Sequence, residues 1–418
     1  MTLSLIVFIA SFLFLLAFNR KIKGVVLDGF FYVMAPYVVI ITINNVIMTN
    51  HTFYAVKDYV IDAHTIALYV FFIGSLFGFA FSKQWKFVIG KTHRPERIIN
   101  LKKIKIVAVV THLVVLVDIC MRYIRNGLES LVSDSKEFNA GFLAGHALIL
   151  LVPLAIILLY NAIEHTDKVA LIQGVISMAL IFTSFVKYHI IGAMLAVFIY
   201  LSIKKPKIII KMGIVIAGLI VAVFVGNYII SFAVRNSTAI DQNFYLYHLW
   251  KYIGGSSINF DAVNRMYPYP SKQGLSIALW ILQNVMSFPN MFIAKIIGHN
   301  IPDYMMQVPY IAVGTTYETS NVISMIASIY IQSNMVEYIV ILFFWGAIVE
   351  YARERCFNTT NECKRIILCI FIAFNLLSFF GSFFVKSATW EMMIDTMLLF
   401  LVFHTRGQIN EKNSIQHL

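Results

Sequence analysis

Charge is what this sequence has least of. Of its 418 residues, 13% are Asp, Glu, Lys or Arg, and only 21 are acidic. So small a supply cannot cover a chain of this length with polar surface, which excludes an ordinary soluble globule. Cysteine is scarce as well. Cys120 falls inside an apolar run, while Cys356, Cys363 and Cys369 surround one loop, at spacings that match no metal motif and indicate neither a disulfide framework nor zinc. There is no low-complexity tract and no internal repeat, so an architecture of two related halves has no support.

What is present is hydrocarbon: 59% of residues are hydrophobic, 35 are Phe, and the mean hydropathy is +0.78. An all-α, polytopic helical bundle in a lipid bilayer is expected. The first apolar run, "TLSLIVFIASFLFLLAF", is followed rather than preceded by a basic cluster, which reverses the order of a cleavable signal and marks a retained span. A crossing helix needs about 20 apolar residues. Windows of that kind fall at roughly 2–18, 24–48, 63–82, 106–121, 142–163, 169–186, 190–203, 208–232, 335–352, 366–385 and 388–404, which makes about eleven spans. The chain thus divides into N-terminal membrane helices (1–232, about eight spans), one large outer, partly re-entrant segment with short helices (233–334), and C-terminal membrane helices (335–418, about three spans) with a cytoplasmic tail.

The net charge of +12 raises nucleic acid as a partner, but the basic residues lie in short clusters between apolar runs rather than on one polar domain. "NRKIK", the stretch Lys83 to Lys105, "EHTDK", "KKPKIIIK", "RERCFNTTNECKR" and "RGQINEK" fall on alternate loops and hold 22 of the 33 Lys and Arg. Positive-inside sorting makes that face cytoplasmic, with the N-terminus outside and the C-terminus inside. The outer loops are then 49–62, 122–141, a tight turn at Lys187 to His189, the long segment 233–334, and a turn near Lys386. Within the long segment, 274–298 and 318–331 are too interrupted or too short to be clear spans, and read as interfacial, re-entrant or packed in the bundle.

That long segment carries "KYIGGSSINFDAVNRMYPYPSKQG" and an excess of cations, five Lys or Arg against three Asp between 233 and 317. An outer loop should not gather positive charge unless something anionic is there to meet it. Arg235, Lys251 and Arg265 suit phosphate oxygens, as does Lys187 where two spans meet. Asp261, His248 and Glu318 are placed to act as a general base, and residue type alone does not rank them. "GGSS" reads either as a phosphate-facing turn or as a flexible connector, and "YPYP" as a rigid connector or a sugar-stacking face. Within the spans, His112, Asp118, His146, His189, Glu391 and Asp395 are ionisable groups at a depth where charge is costly. No metal site and no cofactor motif is visible.

The layout resembles the O-antigen polymerases (Wzy) among the bacterial polysaccharide polymerases. Three stretches carry the resemblance: "VKYHIIGAM" at an outer helix start, "YIGGSSINFD" in the large loop, and "VGTTYETSNVISMIASIYIQSNMVEYIVILFFWGAIVEY" after it. Many relatives have arginine in an "SRG"-like turn where this chain has Lys187 with no glycine behind it. The charge is kept and the bidentate fork is lost. The resemblance implies a metal-independent glycosyltransferase of the bacterial inner membrane. It would work at the periplasmic face on undecaprenyl-pyrophosphate-linked oligosaccharides, and a chain-length regulator is left open as a partner. An acceptor hydroxyl would attack the anomeric carbon of the growing chain, with Arg235, Arg265, Lys187 and Lys251 holding the departing pyrophosphate. Asp261, His248 or Glu318 would take the proton. A flippase of lipid-linked oligosaccharide and an O-antigen ligase are the alternatives.

Overall fold

The computed structural model describes residues 2–88, 97–127, 141–183, 187–204, 244–266, 308–315 and 318–406, with short pieces between 211 and 226. In chain order the helices are α1 (Leu3–Lys23), α2 (Gly29–Val46), α3 (Asp58–Val88), α4 (Leu101–Asn126), α5 (Phe142–His165), α6 (Lys168–Phe182) and α7 (Lys187–Lys204). Then follow α8 (Phe244–Ile253), α9 (Gly255–Met266), α10 (Met325–Gln332), α11 (Met335–Asn358), α12 (Glu362–Leu376) and α13 (Ser387–Val402). Two short antiparallel pairs complete the described residues: β1 (Arg97–Ile99) with β4 (His404–Arg406), and β2 (Ile311–Ala312) with β3 (Thr319–Ser320).

Among the described residues six helices, α1 to α5 and α11, are long and apolar enough to cross a membrane. Large hydrophobic side chains point away from the protein along them, among them Leu3, Phe14, Leu113 and Val336 at 76%, 62%, 56% and 70% exposure. Such a surface belongs in lipid, and the protein is a membrane-embedded helical protein. The reading of eleven spans is corrected. The window 169–186 yields α6 with 15 residues, and 388–404 yields α13 with 16. At about 1.5 Å per residue either falls short of a hydrocarbon core of about 30 Å. The window 366–385 is broken: α12 stops at Leu376, and two 3₁₀ turns, 377–379 and 383–385, carry the chain past Gly381. The expected turn at Lys187 to His189 is instead the first turn of α7. The window 208–232 lies largely, and the segment 274–298 entirely, outside the described residues.

The chain forms two compact units. The first comprises Met1–Lys83, Asn236–Glu354 and Phe371–Trp390. Here α1 ends at Gly24, whose φ of 73° lets the chain turn back, and Asp28 caps α2 through the Phe31 N–H at 2.9 Å. Beside this turn lies a buried ionic cluster. Lys23 Nζ reaches Asp28 Oδ2 at 2.6 Å, Ser75 Oγ at 3.1 Å and Glu350 Oε1 at 3.4 Å, and the Gly29 N–H donates to Glu350 Oε2 at 2.7 Å. All three charged side chains are 0% exposed. Further along, α3 meets α11 backbone to backbone. A Cβ on Gly74 would sit 2.0 Å from the Phe343 carbonyl oxygen, one on Gly78 2.2 Å from that of Ala347, and one on Gly346 2.4 Å from that of Phe71. Small residues four apart permit this approach, and van der Waals packing drives association where water does not.

At the unit's other end the loop after α2 joins the long segment. Phe53 bridges to Gly314, the Tyr54 N–H donates to the Val313 carbonyl at 3.0 Å, and the Thr315 N–H to that of Thr52 at 2.8 Å. Loops that charge sorting placed on one face thus meet there. The stretch read as re-entrant or bundle-packed contains the eight-residue α10, with Met325, Ile326, Ala327, Ile329 and Ile331 buried and no length to span.

The second unit comprises Gln84–Arg235, Arg355–Ile370 and Glu391–Leu418. Its centre is α5, where Leu151, Val152, Leu154 and Ala155 are wholly buried. Polar groups inside it are matched in pairs. His112 Nε2 contacts Ser177 Oγ at 2.8 Å, Asp118 accepts from Arg122 at 2.9 Å and from the Gly141 N–H at 3.0 Å, and His146 Nδ1 contacts Glu391. Asp167 caps α6 and accepts from Lys105, which holds its carboxyl below the usual carboxylate range. That contribution is present above the ordinary aspartate range and is lost as acid protonates Asp167.

Candidate functional site

Over residues 251–266 the polar stretch of the long segment forms the end of α8 and all of α9, joined at Gly254, and "YPYP" lies outside the described residues. This junction is closely packed, not an open turn. Residues 254–260 are all buried, a Cβ on Gly255 would lie 2.7 Å from Ser320 Oγ, and one on Gly254 would lie 2.5 Å from the Trp250 indole nitrogen. The glycines are required by close packing, and the amides of Ser257 and Ile258 already donate to the Gly254 carbonyl at 3.1 and 3.3 Å. Trp250 Nε1 anchors α8 to Asn44 Oδ1 of α2 at 2.9 Å. Asn259 Nδ2 anchors α9 to the carbonyls of Ser320 and Val322 at 3.0 and 2.9 Å. Phe260, fully buried, packs edge-on to Tyr330 at 5.1 Å and to His64 at 5.7 Å. A charged platform is therefore held rigidly on apolar helices.

Four of the sequence-selected residues meet on it, as two ion pairs. Lys251 Nζ, in the last turn of α8, lies 3.4 Å from Glu318 Oε2, with both side chains 17% exposed. Burial holds the Lys251 ammonium below the usual lysine range, more strongly than Glu318 restores it. Asp261 accepts from Arg265 at 2.7 Å and from the Tyr59 hydroxyl at 2.9 Å, and Arg265 itself is 72% exposed. Each carboxylate thus steadies one cation. Asp261 has a donor on each oxygen, so it orients Arg265 before it can accept a substrate proton. His248 lies one turn before Tyr252, with ring centroids 5.9 Å apart. Lys187 opens α7 in the second unit, with its side chain outside the described residues, and Arg235 lies outside them altogether.

Lys386 extends the site in a way the sequence reading missed. Tyr252 faces Phe380 at 6.2 Å, Phe380 stacks on Phe383 at 6.2 Å with planes 14° apart, and Lys386 Nζ stands 5.4 Å over the Phe383 ring. The row of rings therefore begins at His248 and ends at a lysine that burial also pushes below the usual range. The only sequence signal was a lysine in a two-residue turn. Tyr59, whose hydroxyl reaches Asp261 from 202 positions away, left no signal at all.

Among the described residues no group of three or more His, Cys, Asp or Glu is arranged to hold a metal ion. Comparison with family models, curated proteins and solved structures finds no match to this chain.

Proposed function

We propose that the protein is a membrane glycosyltransferase that polymerises undecaprenyl-pyrophosphate-linked oligosaccharides at the periplasmic face of the bacterial inner membrane, an O-antigen polymerase. The observation that carries this reading is Lys251, a partly desolvated ammonium that Glu318, 3.4 Å away, does not compensate for its lost hydration. Such a cation gains most from an arriving phosphate, since a charge-assisted contact in a low-dielectric site is strong. Burial also holds Lys386 below the usual lysine range, and the exposed Arg265 adds a planar fork in the same unit. The rings of Tyr252, Phe380 and Phe383 supply apolar faces of the kind on which sugars stack.

In this reading the cations stabilise the pyrophosphate as its bond to the anomeric carbon breaks, and no metal is needed for that charge. Glu318 and His248 are the nearer base candidates, because both oxygens of Asp261 are engaged. In this reading the platform would stand at the membrane surface, where a lipid-linked substrate presents its phosphates. Arg235 and Lys187 remain proposed pyrophosphate ligands.

Deleting the gene and resolving lipopolysaccharide on a gel tests the class. Loss of the ladder with a single repeat retained is expected. Loss of the single repeat as well points to a flippase or a ligase and removes this reading. In the complemented strain, Lys251→Gln and Lys386→Gln are each expected to shorten or abolish the ladder at unchanged membrane expression. A charge-assisted phosphate contact of about 1.5–3 kcal/mol corresponds to roughly 10- to 100-fold in rate. A full ladder from both variants would contradict the assignment.

A further inference from the structure

The second unit holds a cavity of about 330 Å³ that the proposed polymerisation does not use. Tyr160, Asn161 and His165 of α5, Lys204 of α7, and Asn361 and Glu362 at the start of α12 line it, and isoleucines with Phe400 complete the wall. Every one of these ends belongs to a loop that the basic clusters assign to the cytoplasmic face. The pairing of β1 with β4 draws two more such loops together in the same unit. On that expected topology the cavity opens at the cytoplasmic face, within reach of lipid headgroups and of cytosol.

Its electrostatics are those of an anion site. Glu362 accepts from Lys204 Nζ at 2.5 Å, from Arg365 Nη1 at 2.5 Å, and from the Tyr200 hydroxyl. Two cations therefore serve one carboxylate. Arg365 is 9% exposed and suffices to neutralise Glu362, whereas Lys204 is 25% exposed and lines the cavity. Lys204 is also held over the Tyr160 ring, 5.4 Å from its centroid, so it stays in the wall instead of extending into water. The 15-residue α12 begins at the same place, with Asn361 Oδ1 accepting the Lys364 N–H at 3.0 Å, and adds the positive end of a helix dipole. Lys204 supplies surplus charge, His165 and Asn361 supply hydrogen bonds, and the apolar wall accepts whatever hydrocarbon the anion carries.

We propose that this cavity binds a phosphate group borne by a lipid headgroup or by a small soluble phosphorylated molecule. Lys204 is the principal contact and His165 a second. The test uses the full chain purified in a non-ionic detergent, with binding read by native mass spectrometry and unfolding temperature. The probes are dioleoyl phosphatidylglycerol, dioleoylglycerol as its phosphate-free control, glycerol 3-phosphate and inorganic phosphate. Lys204→Gln is expected to weaken binding about tenfold or more, the size of one charged contact. Because Lys204 also holds Glu362, His165→Ala is the second variant. Its ring is exposed, so the fold should be unaffected while binding weakens. Binding of phosphatidylglycerol but not dioleoylglycerol, weakened in both variants, supports a headgroup site. Binding of the small phosphates alone, weakened in both variants, supports a soluble ligand. If no phosphate-bearing probe binds, or if both variants bind like the wild type, the proposal is overturned.

Discussion

Replacing Lys23 by methionine is expected to destabilise the protein by about 3–5 kcal/mol, the range for removing one partner from a buried ion pair. Replacing Lys21, two residues earlier in the same basic cluster and exposed, is expected to change stability by about 0.5 kcal/mol or less. The difference comes from the surroundings. Lys23 is the common partner of Asp28 and Glu350, all three side chains are wholly buried, and the two carboxylates lie 2.6 and 3.4 Å from its ammonium. Without it two buried carboxylates are left with Arg353, 3.9 Å from Glu350 Oε1, as the cation that offsets them. Methionine fills much of the lysine stem's volume, so the loss reports charge rather than a cavity. Unfolding of the purified variants in mixed micelles measures both. A Lys23→Met protein within 1 kcal/mol of Lys21→Met would mean the cluster contributes little.

Gly74→Leu is expected to be at least as damaging. A Cβ at that position would lie 2.0 Å from the Phe343 carbonyl oxygen and 2.8 Å from its carbonyl carbon, and backbone atoms cannot turn aside as a side chain can. The α3 and α11 helices must separate, losing the packing that holds them, and the cost should exceed the roughly 1–3 kcal/mol of ordinary overpacking. Gly145→Ala is the control, since nothing lies within 4 Å of a Cβ there. Thermal unfolding and protease resistance of the two variants should diverge, with Gly145→Ala matching the wild type.

These two sites also mark how far the sequence could be read. Composition and the run of long apolar windows were enough for a helical membrane protein, while the pairing of loop 49–62 with 311–315 left no sign in the sequence. They were not enough for Lys23, because "NRKIK" is equally what positive-inside sorting produces, and only the fold separates the buried lysine from its exposed neighbours. "GSLFG" does carry a signal for close helix contact, glycines four apart in an apolar run. The span count was too high because hydropathy sums over a window and does not register where a helix is interrupted, as at Gly381. "GGSS" drew attention for its chemistry, yet its glycines are there because Trp250 and Ser320 leave no room for a Cβ. Of the candidate site, the residue types were legible and the pairings were not: Lys251 with Glu318 and Asp261 with Tyr59 depend on contacts made across the fold. The buried thiols of Cys356 and Cys369, 3.4 Å apart but 13 positions apart in sequence, are a further contact that spacing could not reveal.

The most direct test of the polymerase reading uses the purified protein in lipid nanodiscs, supplied with undecaprenyl-pyrophosphate-linked repeat units. The wild type is expected to release undecaprenyl pyrophosphate and to lengthen the glycan by whole repeats, and Lys251→Gln, folded to the same unfolding temperature, to do so at least about tenfold more slowly. Lipid-linked units left unchanged by a folded wild-type protein, or equal rates for the two proteins, would contradict the account.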